Sequence, residues 1–139
     1  VLWVSSGNEL CVLAGCFASS GAELKTNSQV GALEGDVLST DGRPGYLFFG
    51  PYVGLSKGEY MLRLFGQFDD VGGAVLDIVS NHGNLSHLRV NISEPPSGDK
   101  VQLELPFDLE SNVSDLEVRL YATEATKVKI RSYEIVLAK

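Results

Sequence analysis

Arg43 and Tyr46 stand close together in the chain, with Asp36, Asp41 and Tyr52 a few residues to either side. A guanidinium, aromatic rings and carboxylates carried on one loop and the strand it enters suit a polyhydroxylated ligand. Ring faces stack on the C–H surface of a sugar, and planar polar groups bond its hydroxyls in pairs. Arg43 has a competing use, a structural salt bridge to Asp36 or Asp41. Trp3, the only tryptophan, is either a further stacking platform or a residue packed in the core or against a strand edge. The candidate ligand-binding set is Arg43, Tyr46, Asp36, Asp41, Tyr52 and Trp3.

Residues for catalysis do not assemble in the same way. A nucleophilic triad needs Ser or Cys beside His with a carboxylate behind it, and no G-x-S-x-G elbow is present. His82 and His87 flank a turn and read as solvent-exposed hairpin histidines. Asp69-Asp70, the closest carboxylate pair, reads as an exposed loop opening between strands, with calcium ligation the sharper alternative. The glycines do not stand at phosphate-loop or dinucleotide spacings. Cys11 and Cys16 read as buried free thiols. A disulfide between them needs a local turn, and a zinc site needs ligands beyond the distant histidines. The chain is therefore expected to be no enzyme, with no catalytic residue and no metal or other cofactor.

With 139 residues, 44% of them hydrophobic and 21% charged, the chain has the size and balance of one globular domain. The expected domain is a single β-sandwich over residues 1–139, with 1–22 an N-terminal extension or edge element. Eighteen acidic residues against 11 basic leave a net charge of −7. Phosphate neutralisation by Lys and Arg, which nucleic-acid binding rests on, has no basis here, and an anionic membrane surface is disfavoured for the same reason. The longest apolar run, Leu10 to Ala18, is about half of a membrane span, so membrane insertion is not expected. The N-terminus lacks the basic flank of a signal peptide. The compartment stays open, with an extracellular or cell-surface setting favoured. Asn84, Asn91 and Asn112 begin N-x-Ser sequons, which matter only in a glycosylating secretory pathway.

The elements that must position the candidate residues are strands. Gly and Pro punctuate the chain every ten residues or so, the spacing of a sandwich or barrel. Tyr46 to Tyr52 reads as one aromatic-rich strand, and Glu59 to Phe68 as a long one with Tyr60, Leu62 and Leu64 inward and Arg63 outward. Val75 to Val79 precedes a turn at Asn81-His82-Gly83-Asn84. Leu88, Val90 and Ile92 alternate with Arg89 and Asn91. After a loop over Ser93 to Asp99, Val101 to Leu105 alternates again, as do Leu116, Val118 and Leu120 against Glu117, Arg119 and Tyr121. Val128 and Ile130 change phase with Tyr133, Ile135 and Leu137, which predicts a bulge near Ser132. Glu23 to Gly45 reads as a meandering connection with short edge strands. Asn8 to Phe17 is helical or a buried strand. One face buried and one wet is the mark of antiparallel sheets, so the fold class is all-β, an antiparallel β-sandwich.

The stretch Gly42-Arg43-Pro44-Gly45-Tyr46, then Phe49-Gly50-Pro51-Tyr52, then Gly58-Glu59-Tyr60 resembles accessory β-sandwich modules found beside bacterial glycosyltransferases and in surface-glycan-binding proteins. More broadly it is similar to the galactose-binding-like jelly rolls of carbohydrate-binding modules, over about residues 30 to 137. The resemblance implies a jelly-roll sandwich and a noncatalytic module that recognises a bacterial surface or extracellular polysaccharide. A tethered catalytic domain, or other copies of the chain, would accompany it. Such modules often hold a structural calcium, for which Glu34, Asp36 and Glu134 are the carboxylates available, although no dense acidic loop is present. The alternative reading is a structural or assembly module whose exposed aromatics anchor a domain or homo-oligomer interface.

Overall fold

Strands that alternate apolar and polar residues hide their apolar faces by pressing them together in two layers. The computed structural model describes residues 17–92 and 102–138. Within them run β1 (Phe17–Ser20), α1 (Gly21–Leu24), a 3-10 turn (Lys25–Asn27), β2 (Ala32–Glu34), β3 (Val37–Ser39), β4 (Gly45–Phe48) and β5 (Pro51–Leu55). There follow β6 (Gly58–Val71), β7 (Val75–Ser80), β8 (Leu85–Asn91), β9 (Gln102–Leu109), β10 (Val113–Ala122) and β11 (Thr126–Leu137). Trp3, Cys11, Cys16, nearly all of Asn8 to Phe17 and the Ser93 to Asp99 loop lie outside the described residues.

One sheet has the order β2-β3-β11-β6-β9, with β1 also paired to β11. The other has the order β4-β10-β7-β8, with β5 also paired to β10. Every pairing is antiparallel. Between the layers lie the apolar positions that the alternation marks: Leu62 and Leu64, Leu76 and Ile78, Leu116, Val118 and Leu120, Ile130 and Ile135. Tyr60 stacks on Phe107 and Phe48 on Tyr133, each pair at 5.6 Å between ring centroids. The Tyr60 hydroxyl donates to the Ser56 carbonyl at 2.7 Å, so this core ring keeps a partner for its polar end.

The phase change in the last strand is a bulge. Ile130 pairs with Gly66 and Ser132 with Phe65, so Arg131 is the extra residue that returns Tyr133 and Ile135 to the core. On the outer face of this sheet, Arg63 donates to Glu104 on one side and Glu134 on the other, each at 2.9 Å.

Other expectations need correction. Tyr46 to Tyr52 is two strands, not one. The chain breaks at Phe49-Gly50, where Gly50 has φ +96 and precedes a cis peptide bond to Pro51, and Tyr52 follows at φ +71. The break lets β4 and β5 pair with successive parts of the same edge of β10. Asp69 and Asp70 lie within β6 instead of a loop, and the turn begins only at Gly72. Helix α1 is a single turn closed by a capping box, with the Ser20 side chain and Glu23 each bonding the other's backbone N–H.

Candidate functional site

Alternation on β7, β8 and β10 sends one set of residues into the core and the other onto the outer face of the smaller sheet. Register then fixes which of those outward residues become neighbours. Tyr46 stands opposite Tyr121, Tyr121 opposite Val75, and Val75 opposite Asn91. In the adjacent row Arg119 stands opposite Asp77, and Asp77 opposite Arg89. Tyr46, Gly73, Val75, Asp77, Arg89 and Tyr121 line a depression of about 310 Å³, at the small end of the roughly 300–1,000 Å³ typical of small-molecule sites.

Charge and ring geometry make this floor rigid. Asp77, almost fully buried, accepts from Arg119 Nε at 2.9 Å and from its terminal nitrogen at 2.5 Å. This fork fixes both side chains, and the carboxylate hydrogen bond pushes the Arg119 pKa up. The guanidinium carbon lies 5.3 Å from the Tyr46 ring centroid, and Tyr46 meets Tyr121 edge-on at 5.3 Å. Arg89 reaches Asp77 only at 3.9 Å, with 64% of its side chain exposed.

Beside this row the Tyr52 hydroxyl donates to Glu117 at 3.3 Å, and burial followed by the Glu117 charge raises its pKa. The β6–β7 turn forms the rim. Gly73 has φ +75, and a Cβ there would sit 2.6 Å from the Thr123 methyl group. Thr123 and Thr126 both donate to the Gly72 carbonyl and tie the turn down.

The structure divides the candidate residues. Tyr46 and Tyr52 come to the outer face of the smaller sheet. Arg43 and Asp41 are paired with each other in the β3–β4 loop: the guanidinium donates to Asp41 at 2.6 and 2.9 Å, while the same carboxylate accepts from the Gly31 N–H at 3.0 Å. This is the structural use of Arg43 that competes with ligand binding, with Asp41 as the partner. Asp36 is exposed in the β2–β3 turn. Asp77, Arg89, Arg119 and Tyr121 join the site without having been singled out for it. Their signal is the polar phase of three half-buried strands, which acquires meaning only once the strand order is known.

His87 is half-buried, which corrects its reading as an exposed hairpin histidine. Its Nε2 lies 2.7 Å from Ser80 Oγ, a spacing like that of a nucleophile and its base. Ser80, however, is only 2% exposed, so the pair ties β7 to β8 and presents no nucleophile. Burial lowers the His87 pKa below its ordinary 6.5, against a smaller upward pull from Glu110. The unfolded chain then binds more protons than the folded one below about pH 6.5, so this group's contribution to stability falls with pH from there downward. Thermal melts at pH 7.5 and 5.5 are expected to show a smaller acid-induced drop for His87→Gln than for the parent, and equal drops would contradict the assignment. Asp41 acts at lower pH. Arg43 holds its pKa at about 2 against an ordinary 3.8, so its stabilisation is complete above about pH 4 and disappears as pH falls toward 2.

Among the described residues no group of three or more His, Cys, Asp or Glu side chains gathers to hold a metal ion. Of the carboxylates considered for calcium, Glu134 is paired with Arg63 and Glu34 accepts from Ser39.

No family model matches the chain, and no curated protein matches it in sequence. Solved structures do match in three dimensions. A carbohydrate-binding module from Cellvibrio mixtus lichenase 5A, in complex with cellotriose, superposes with a TM-score of 0.62 at 10% identity, over 88% of this chain and 97% of that one. The C-terminal CBM6 of LamC, a marine laminarinase from Zobellia galactanivorans, gives 0.58 at 11% identity, over 87% and 98%. CBM35 from Cellvibrio japonicus Abf62 gives 0.51 at 16%, over 89% and 94%. The fold is the galactose-binding-like jelly-roll β-sandwich that these modules share.

Proposed function

We propose that the chain is a noncatalytic carbohydrate-binding module whose ligand lies on the outer face of the smaller sheet. The observation that carries this reading is the depression lined by Tyr46, Tyr121, Asp77 and Arg89, with Arg119 forked onto Asp77 and lying over the Tyr46 ring. Two rings and fixed planar polar groups suit the alternating C–H and hydroxyl surfaces of a sugar. The floor does not suit hydrolysis. Among the described residues Asp77 is the one carboxylate that lines the depression, with both oxygens engaged by Arg119, whereas a glycosidase sets two carboxyl groups across the scissile bond. A fold shared with modules of a lichenase and a laminarinase supports the same reading, as does the resemblance of the Gly42 to Tyr60 stretch.

The finer reading is a bacterial surface or extracellular polysaccharide as ligand. A shallow site of this kind gains useful affinity through repeated ligand units or a tethered catalytic partner. The assembly alternative has less support. Among the described residues the exposed large apolar side chains Leu33, Tyr52, Leu85 and Leu137 fall on four different strands of both sheets, whereas an interface needs them side by side.

Binding to a polysaccharide panel, followed by titration of Tyr46→Ala, Tyr121→Ala and Arg43→Ala, tests the proposal. Losing one stacking ring is expected to weaken binding by about tenfold or more in variants that still melt cooperatively, at a lower temperature because each ring also packs on its neighbours. Arg43→Ala is expected to bind as the parent does. Loss confined to Arg43→Ala would move the site to the β3–β4 loop. No binding to any polysaccharide by a folded protein that elutes as an oligomer would replace this reading with the assembly role.

A further inference from the structure

The charges around the depression are unequally committed. Asp77 is the anion of its row, and both its oxygens accept from Arg119. Arg89, across the row on β8, stands 3.9 Å from the same carboxylate through one nitrogen, with most of its side chain in water. Glu117, the next carboxylate along β10, is buried and accepts from Tyr52, and it does not line the depression. Among the described residues, then, the rim carries a guanidinium whose charge is not fully matched, on a strand that also places Asn91 on the same face two residues on. A guanidinium meets a planar carboxylate through two parallel hydrogen bonds, while a neutral hydroxyl pair gives it weaker ones. In a chain of net charge −7 a locally cationic rim stands against the sign of the whole molecule.

We propose that this site selects saccharides carrying a carboxylate, with Arg89 binding the carboxylate of a uronic acid unit while Tyr46 and Tyr121 hold sugar rings. The proposal rests on the carbohydrate-binding reading and names the ligand class of that same site. Asp77 anchors the floor, Arg119 is forked onto it through Nε and one terminal nitrogen, and Arg89 is the specificity-determining cation.

The test compares acidic and neutral versions of the same ligands. Oligosaccharides from polygalacturonate, alginate and glucuronoxylan are titrated against their carboxyl-reduced counterparts, with dextran and dextran sulfate alongside. At least one acidic oligosaccharide is expected to bind about tenfold more tightly than its reduced form. In Arg89→Gln that ratio is expected to fall to about one through loss of affinity for the acidic form, with the melting temperature unchanged, since the side chain lies mostly in water. Equal binding of acidic and reduced forms overturns the carboxylate proposal and leaves the carbohydrate reading standing. A preference for dextran sulfate above every carboxylate overturns it too, because the rim would then act as a point charge without carboxylate geometry. An acid preference that survives in Arg89→Gln overturns the role of Arg89. No binding to any member of either series, acidic or neutral, overturns both readings together.

Discussion

Replacing Gly66 with alanine is expected to destabilise the protein by about 3 kcal/mol or more, as forced overpacking of a close-packed interior does at its upper end. Gly66 lies in β6 opposite the β11 bulge, where two paired backbones approach more closely than any side chain allows. A Cβ built there falls 2.0 Å from the Lys129 carbonyl oxygen and 3.0 Å from the Ile130 Cα. Neither atom belongs to a flexible side chain, and both strands are held along their length by pairing from Thr126 to Leu137. The bulge must therefore widen, and Tyr133 and Ile135 leave their places in the core with it. For a chain of this size the loss corresponds to a fall of roughly 10 °C in melting temperature. Gly54→Ala is the control. It lies on β5, its Cβ meets only the Val113 carbonyl oxygen at 3.5 Å and Ser114 Cα at 3.9 Å, and its expected change is about 1 kcal/mol or less. Equal melting temperatures for the two variants would show that the bulge opens without cost.

The bulge itself is legible in the sequence, because Ile130 and Tyr133 are out of phase by one residue in a pattern of period two. So are the long central strand, the turn at Asn81 to Asn84 and the polarity of each face, since burial of one side leaves a direct trace in residue type. The break at Phe49-Gly50 is not visible to that signal. Apolar and aromatic residues continue across it, and what divides the strand is backbone conformation at Gly50, Pro51 and Tyr52. Nor does periodicity register α1, for which the Ser20 and Glu23 spacing is the local mark.

The site shows the same limit at longer range. Arg43, Asp41 and Tyr46 are close in sequence, and that closeness is what makes them candidates. In the fold the two charged residues satisfy one another within the loop, while Tyr46 finds its neighbours Arg119 and Tyr121 more than seventy residues away. Arg89, Arg119 and Tyr121 are each recognisable as outward residues of a half-buried strand. That they form one surface depends on β10 lying between β4 and β7, a pairing order no local pattern contains. A polar site on a sheet face is therefore readable residue by residue in the sequence, and becomes a site only through topology.

Asp77→Ala tests whether that topology makes the floor structural as well as functional. Breaking a fully buried ion pair from one side costs about 3–5 kcal/mol, because the partner charge is left without compensation. Arg119 keeps 23% of its side chain in water, which lowers the expected loss to about 2–3 kcal/mol. Asp77→Asn should lie between the parent and Asp77→Ala, since an amide oxygen accepts one of the two guanidinium bonds without the charge. Removing both partners has a different consequence. Asp77→Leu combined with Arg119→Leu leaves no buried charge unpaired, Arg89 being mostly in water, and fills the same row with apolar side chains, so it is expected to recover most of the stability lost in Asp77→Ala. It is also expected to lose saccharide binding, because the fork and the cation over Tyr46 are gone. Denaturant unfolding and polysaccharide titration on the three variants separate the two roles. A change within about 0.5 kcal/mol for Asp77→Ala, the range of ordinary surface substitutions, would mean that the fork does not hold the sheet. Full binding by the double variant would mean that the sugar lies elsewhere, since a ligand on this face cannot be indifferent to the loss of both charges beneath it.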